Sequence, residues 1–248
     1  MRPAGDCGLA APAPQAGRDR SGFLTLIFHP QPELAIKPDV ATPSAVVQID
    51  GLSFSFPARE LLRQWSAHIP VGVTWLRGAE SSGKTTLLRL LGAELTASAG
   101  RLQIGRIRLD QSPQAYRSQV FWVDPRTEVF DQLSANDWFF SLPARYPDVD
   151  TALLRQLCTD LSLTPHLNKP LYMLSTGSKR KVWLAGACAS GAQLTLLDEP
   201  FAALDKPSID CLLAQLQAAT QQPSRVWLIA DHAAPATVAL ASTLDLGG

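Results

Sequence analysis

The stretch GAESSGKTT, residues 78–86, decides the fold because it matches the pattern GxxxxGK[ST] in full. The apolar run IPVGVTWLRG (69–78) predicts a buried strand before it, and the leucines of KTTLLRLLGAEL (84–95) predict a helix after it. A flexible turn between strand and helix lets backbone N–H groups converge on phosphate oxygens at the positive end of the helix dipole. The alternative, a chance Gly/Ser-rich turn, leaves these flanking elements unexplained. The stretch therefore predicts a phosphate-binding loop.

Two side chains of this loop carry a defined chemistry. Lys84 is suited to supply a point charge to the β- and γ-phosphates of a nucleotide. Thr85 is suited to present its hydroxyl to Mg²⁺. The residues predicted to bind nucleotide here are Gly78, Ala79, Glu80, Ser81, Ser82, Gly83, Lys84, Thr85 and Thr86.

A pair of acids follows a second apolar run, LTLLDEP (194–200). Ligands of open α/β sheets bind at the carboxyl ends of the strands, which is where these acids are expected. Asp198 is predicted to hold Mg²⁺, usually through a water, and Glu199 to polarise an attacking water molecule. The alternative is an ordinary strand that ends in solvated acids, and it is weak beside a complete phosphate loop.

Strand and helix patterns alternate around these motifs. Strand patterns at 192–200 and 224–232 flank a helix pattern at 207–220. This alternation is typical of a mostly parallel α/β sheet. Earlier in the chain, apolar and polar residues alternate through Val46–Phe56 and again in RLQIGRIRL (101–109), which predicts half-buried strands.

The middle of the chain, from about 125 to 172, has the spacing of helices. Ser134 or Asn136 is predicted to cap the first of them, because short polar side chains accept hydrogen bonds from the first helical N–H groups. A second helix is predicted over 150–163, with one apolar face formed by Leu153, Leu154, Leu157 and Leu161.

The composition is that of an ordinary globular protein, with 46% hydrophobic and 18% charged residues among 248. Lys plus Arg and Asp plus Glu number 22 each, so no overall charge favours nucleic acid as a partner. No apolar run approaches the ~20 residues of a membrane-spanning helix. The four cysteines lack metal-ligand spacing, which favours free thiols. We expect residues 1–44 to form a mostly disordered tail rich in proline and alanine.

From about residue 45 to 248, the motifs and their order resemble the nucleotide-binding subunit of ATP-binding cassette (ABC) transporters. LSTGS (174–178) lies where this family carries its LSGGQ signature, and AALD (202–205) lies where it carries its D-loop. His232 ends a strand where the family keeps a histidine that contacts the γ-phosphate, and Phe56 lies where it places an aromatic that stacks on adenine. The alternatives are a structural role for His232 and a core role for Phe56.

The resemblance implies a P-loop NTPase (RecA-like) core with a mostly parallel sheet, an N-terminal antiparallel β part and a helical subdomain inserted at about 125–180. It also implies hydrolysis of ATP with Mg²⁺ by in-line attack of water. In that reaction Lys84 would bind the phosphates, Glu199 would act as general base and His232 would position the γ-phosphate. The stretch LLDEPFAALDK further resembles the cassettes of small exporters, including the haem-exporter type.

The partners implied by the resemblance are a second cassette and a separate transmembrane permease. Each ATP would lie between one chain's phosphate loop and the other chain's signature helix, to which Ser175 and Gly177 belong, with Asp205 in the D-loop. The dimer would be a homodimer or a heterodimer. The protein would be cytoplasmic and attached to the inner face of the cell membrane through the permease.

Against LSGGQ, Thr176 replaces the first glycine and Ser178 replaces the glutamine. We consider Thr176 tolerable if its φ is negative, because only a positive φ strains a β-branched residue. The basic residues that follow, at 179–181, are predicted to form a solvated face of the helix. Long-range attraction of nucleotide is the alternative.

The glutamine that the family places before its helical subdomain is also replaced. The expected position falls at Asp124 or Pro125 in FWVDPRTEVF, and neither is glutamine. Two other functions therefore stay open beside a transport ATPase. One is a soluble ATPase switch without a transporter, and the other is a degenerate subunit that binds ATP but hydrolyses it poorly.

Overall fold

The computed structural model describes residues 47–222 and 224–246. The predicted tail over 1–44 lies outside them. The strands of the described residues are β1 (Val47–Phe56), β2 (Arg59–Ile69), β3 (Gly72–Arg77), β4 (Ala99–Ile104), β5 (Ile107–Arg108), β6 (Val120–Phe121), β7 (Leu194–Asp198), β8 (Val226–Ala230) and β9 (Leu240–Asp245).

Five of these strands form a parallel sheet in the order β6-β7-β8-β3-β9. β7 and β8 are buried along their whole length, as expected for central strands of a sheet covered on both faces. The other four form an antiparallel sheet in the order β2-β1-β4-β5. Both sheets match the predicted fold class.

One predicted strand boundary is wrong. The run 69–78 was expected to be one strand, but Ile69 ends β2 and β3 begins only at Gly72. Pro70 lies between them, and proline lacks the N–H that a sheet ladder needs. The chain therefore passes here from the antiparallel sheet to the parallel sheet.

The helices of the described residues are α1 (Lys84–Leu91), α2 (Pro113–Ser118), α3 (Ala135–Arg145), α4 (Thr151–Asp160), α5 (Thr176–Ala189) and α6 (Lys206–Ala219), with short 3-10 helices at Thr164–His166 and Leu171–Met173. Of the two predicted caps of α3, Ser134 is the N-cap and forms a reciprocal capping box with Asp137. α1 is shorter than predicted, because Gly92 ends it. Helices α3 to α5 form the predicted helical part, and α5 continues to Ala189.

Two hydrophobic clusters hold these elements together. The first packs α3, α4, α5 and α6 against one side of the parallel sheet, and its indoles Trp138 and Trp183 lie 4.7 Å apart. The second joins α1 to the antiparallel sheet and includes the buried Tyr116. Between them the parallel sheet is covered on both faces, and its carboxyl edge is left for polar groups.

The described cysteines are free thiols, as predicted: Cys158 and Cys188 are buried and Cys211 is half-buried. Cys7 lies outside the described residues. No helix within 47–222 and 224–246 has both the length and the apolar character needed to cross a membrane.

Candidate functional site

The predicted phosphate loop lies between β3 and α1, and its backbone surrounds the side chain of Lys84. Gly83 is the N-cap of α1 with φ 102°, and Ser81 has φ 60°, so the turn uses left-handed backbone conformations. Lys84 Nζ donates to the carbonyl oxygens of Gly78 (2.7 Å) and Ala79 (3.0 Å). A Cβ at Gly83 would lie 2.7 Å from side-chain carbons of Leu61, so that side chain would have to move.

Thr85, in the first turn of α1, meets the first acid of the predicted pair. Its Oγ1 donates to Asp198 Oδ2 at 2.8 Å, which joins α1 to the end of β7. Burial raises the pKa of Asp198, and the neighbouring charge of Glu199 adds to this effect, while the bond from Thr85 opposes it. A carboxylate that burial disfavours, beside a hydroxyl oxygen, is a donor set that suits a hard divalent cation. The two predicted metal ligands therefore fit Mg²⁺.

Glu199 follows β7 directly and has an unusual backbone. Its φ is 45°, and its N–H donates to the carbonyl oxygen of Ala230 at 2.7 Å, at the end of β8. A non-glycine residue with positive φ is uncommon and persists where its surroundings hold it. His232, just after β8, places Nε2 3.6 Å from Glu199 Oε1. Both predicted catalytic groups therefore meet at the carboxyl edge of the sheet.

These groups line one cavity of about 380 Å³. Phe56 also lines it, 45% exposed, with its ring edge-on to Phe54 at 5.0 Å. This exposure excludes the core role for Phe56, and its contact with adenine stays a prediction. The full lining is Phe56, Arg59, Leu61, Glu80, Ser81, Ser82, Gly83, Lys84, Thr85, Thr86, Arg126, Asp198, Glu199 and His232.

Sequence reasoning missed two cations of this cavity. Arg59 reaches it from β2 and donates from Nη1 to the carbonyl oxygen of Ser81 at 3.2 Å, so it braces the phosphate loop. Arg126 reaches it from the segment after β6. Arg126 carries a usable signal, because it directly follows Asp124 and Pro125, the two positions at which the family's glutamine was expected. Arg59 offers no such local signal.

The signature segment, residues 174–178, begins α5. Ser175 is its N-cap, and its Oγ accepts a hydrogen bond from the N–H of Ser178 at 3.2 Å. Thr176 is the first helical residue and is not among the residues with positive φ, so the condition for tolerating it is met. Gly177 is needed for space, because a Cβ there would lie 2.5 Å from the carbonyl oxygen of Ala203. Ser175 and Gly177 do not line the phosphate-loop cavity of their own chain.

The prediction of a solvated basic face at 179–181 is wrong. Lys179 Nζ forms an ion pair with Asp131 at 2.6 Å, and Lys181 is buried and pairs with Asp205 at 2.6 Å. Arg180 Nη1 donates to the backbone carbonyl of Glu199. The three cations turn inward because α5 packs against α3 and α4 and also reaches the acid pair.

Arg180 is half-buried beside three acids. Burial lowers its pKa, the charges of Glu199, Asp198 and Asp231 oppose that effect, and the charge of Arg126 adds to it. Arg180 thus links the signature helix to the backbone of the proposed general base.

Asp205 ends the predicted D-loop and is the N-cap of α6, where its carboxylate accepts from the N–H of Ser208 at 2.9 Å. The side-chain hydrogen bond from Lys181 lowers the pKa of Asp205 to about 2, with further help from Ser208. Asp205 is not part of the phosphate-loop cavity. A contact between Asp205 and nucleotide stays a prediction.

The ABC transporter family model matches residues 62–202, a span that contains the phosphate loop, the signature and the acid pair. The chain belongs to the ABC transporter family. This membership confirms the predicted fold and the predicted function, an ATP-binding, ATP-hydrolysing subunit of a membrane transporter.

Two curated relatives illustrate the resemblance. The cytochrome c biogenesis ATP-binding export protein CcmA of Legionella pneumophila (strain Lens) is 32% identical over 172 residues, which is 67% of this chain and 82% of the relative. The taurine import ATP-binding protein TauB of Pseudomonas fluorescens (strain Pf-5) is 32% identical over 208 residues, 82% of this chain and 77% of the relative. The predicted likeness to haem-exporter cassettes is confirmed by the CcmA matches.

Solved structures show the same fold. The ATP-binding subunit of an ABC transporter aligns with a TM-score of 0.67 at 21% identity, covering 75% of this chain and 79% of that one. A putative ABC transporter ATP-binding protein from Pyrococcus furiosus aligns with a TM-score of 0.65 at 20% identity, covering 82% of this chain and 98% of that one.

Proposed function

We propose that this ABC ATPase hydrolyses ATP in the cavity between the phosphate loop and the acid pair, with Glu199 as general base. The observation that carries the proposal is the meeting of Lys84, Thr85, Asp198, Glu199 and His232 at one cavity, although they come from three separate parts of the chain. In phosphoryl transfer, catalysis consists mostly of positioning and of stabilising charge. A single cavity with a lysine, two acids and a histidine meets both needs.

Each residue has a distinct role in this reaction. Lys84 and the loop N–H groups bind the β- and γ-phosphates. Thr85 and Asp198 hold Mg²⁺, which neutralises charge on the phosphates when it is bound. Glu199 accepts a proton from the attacking water, and His232 positions the γ-phosphate. Mg²⁺ is usually held by one or two carboxylates together with the phosphates of the substrate.

The protein works as a dimer with a second cassette. Ser175 and Gly177 lie at the N-terminus of α5 and outside the cavity of their own chain. A helix N-terminus attracts anions through its free N–H groups and its dipole. The segment is therefore available to close the cavity of a partner subunit over the γ-phosphate. The cycle of closing and opening drives a separate permease at the inner face of the cell membrane.

A steady-state ATPase assay of the purified protein with Mg²⁺ tests this proposal. We expect Glu199→Gln to lower kcat about a hundredfold or more, the scale of general-base catalysis, and to leave ATP binding intact. Glu94→Gln is the matched control, because Glu94 is exposed, lies after the end of α1 and is outside the cavity. If wild type turns ATP over and Glu199→Gln does so equally fast, Glu199 is excluded as the base.

The degenerate-subunit alternative has one observation in its favour, which is that neither Asp124 nor Pro125, the two expected glutamine positions, is glutamine. The same assay decides it. Wild-type protein that binds ATP tightly but shows no turnover above the protein-free background would identify a subunit that binds without hydrolysing.

A further inference from the structure

The segment after β6 forms a tight turn over residues 124–127. The N–H of Thr127 donates to the carbonyl oxygen of Asp124 at 2.9 Å, and the N–H of Arg126 donates to Asp124 Oδ1 at 2.9 Å. Aspartate at the first position and proline at the second favour such a turn, because the carboxylate accepts from the backbone two residues on and Pro125 fixes φ. The carboxylate of Asp124 is thus used to hold the turn.

The turn places Arg126 at the phosphate-loop cavity. Arg59 and Lys84, the other cations of that lining, both donate to carbonyl oxygens of the phosphate loop. The guanidinium of Arg126, by contrast, forms no hydrogen bond or ion pair with any residue in 47–222 or 224–246. Its five N–H donors remain available to a ligand in the cavity.

Sheet topology decides which end of a nucleotide Arg126 faces. β6 pairs with β7, whose carboxyl end carries Asp198 and Glu199, so the turn after β6 lies beside the acid pair. The acid pair and His232 are the groups proposed to act on the terminal phosphate. Arg126 lines the same cavity as Asp198, Glu199 and His232.

We infer that Arg126 binds the terminal phosphate of ATP directly, from the turn that Asp124 and Pro125 hold in place. The inference rests on the proposed function, since it assumes ATP in this cavity. A guanidinium is always charged, binds phosphate through two parallel N–H bonds, and has no lone pair for a metal. Arg126 therefore contacts the phosphate without Mg²⁺, unlike an amide side chain, whose carbonyl oxygen suits a metal.

The test is nucleotide binding by isothermal calorimetry, with ATP and ADP each measured in Mg²⁺ and in EDTA. All proteins carry Glu199→Gln so that ATP is not consumed. Arg126→Ala is compared with Arg106→Ala, an exposed arginine between β4 and β5 that lies outside the cavity. Arg126→Lys is the second variant, and it keeps the charge but loses the bidentate geometry. Thermal unfolding of each variant confirms that it is folded.

We expect Arg126→Ala to raise the Kd for ATP about tenfold or more, the scale of a charge-assisted hydrogen bond. The Kd for ADP should change less than about twofold, and the loss for ATP should persist in EDTA. Arg126→Lys should recover part of the ATP affinity, and Arg106→Ala should bind like the parent.

Three results would overturn the inference. They are unchanged ATP affinity in Arg126→Ala, an equal loss for ATP and ADP, and a loss that disappears in EDTA. In each of these cases a parent protein that binds ATP leaves the proposed function standing. A parent that binds neither nucleotide would contradict the proposed function itself and the inference with it.

Discussion

The phosphate loop and the signature segment each contain the start of a helix, but they require glycine for different reasons. At α1, Gly83 has φ 102° and forms a left-handed turn. At α5, Gly177 lies within a regular helix and is needed because the carbonyl of Ala203 approaches it. The first glycine is required mainly by backbone conformation and the second by space.

The two regions also differ in how their cations are used. Lys84 stays inside its own loop and faces the cavity. The basic residues after the signature instead contact other parts of their own chain. Arg180 donates to the backbone carbonyl of Glu199, and Lys181 donates to the carboxylate of Asp205. We conclude that α5 presents its N-terminus outward while its first turns hold the acid pair and D-loop of the same chain.

Removing the lysine should have the largest effect. Lys84→Ala deletes the point charge that the loop surrounds, and we expect the Kd for ATP to rise about a hundredfold, as for the loss of strong charge-assisted bonds. Isothermal calorimetry measures the Kd for ATP of this variant and of wild type. Binding within about threefold of wild type would show that the loop N–H groups suffice and that Lys84, like the cations of α5, contributes little to nucleotide binding.

Breaking the link between α5 and the acid pair should have the next largest effect. Arg180→Gln removes the cation that donates to the Glu199 carbonyl, so the strained backbone of Glu199 loses a support. We expect kcat to fall about tenfold, as for a misplaced catalytic group, with KM changed less. Arg180→Lys should recover part of the rate. A change in KM alone would place Arg180 in substrate binding instead.

The spatial need for Gly177 is tested by a matched pair at neighbouring positions. Alanine is the better helix former, so Gly177→Ala would stabilise a free helix by about 1 kcal/mol. Because its Cβ would meet the Ala203 backbone at 2.5 Å, we instead expect destabilisation by about 1–3 kcal/mol. The exposed Thr176→Ala should change little. Urea unfolding of both variants measures the difference, and a stabilised Gly177→Ala would contradict the close approach.

The smallest effect is expected at the ion pair between Lys181 and Asp205. Asparagine caps helices as well as aspartate does, so Asp205→Asn removes mainly the charge. The pKa of Asp205 is lowered to about 2 by its bond from Lys181, against about 3.9 for an unfolded chain. Its contribution is therefore present above about pH 4 and is lost as the pH falls towards 2.

Thermal melts from pH 7 to pH 2 check this prediction. The Tm of Asp205→Asn should lie slightly below that of wild type at neutral pH, and the gap should close under acid. A gap that is constant over the whole range would mean that the ion pair does not contribute.

The sequence alone was sufficient to predict the sites that are formed by contiguous residues. The phosphate loop, its strand and helix, and the acid pair are contiguous motifs whose backbone requirements appear in their own residues. The roles of Lys179 and Lys181 were missed because their partners lie 48 and 24 residues away in the chain. Arg59 was missed for the same reason, since its contact with Ser81 exists only after β2 packs beside the loop.

The segment at the missing glutamine depends partly on local chemistry and partly on the topology of the sheet. Local chemistry predicts a turn at Asp124 and Pro125, because aspartate followed by proline favours one. That this turn brings Arg126 to the cavity depends on the pairing of β6 with β7, which no local pattern reveals.

The central claim is that ATP joins the cavity of one chain to the signature segment of another, and that Glu199 ends this state by hydrolysis. Light scattering of Glu199→Gln with ATP and with ADP tests it most directly. We predict a stable dimer with ATP, a monomer with ADP, and only a transient dimer for wild type with ATP. A Glu199→Gln protein that binds ATP and remains monomeric would contradict the claim.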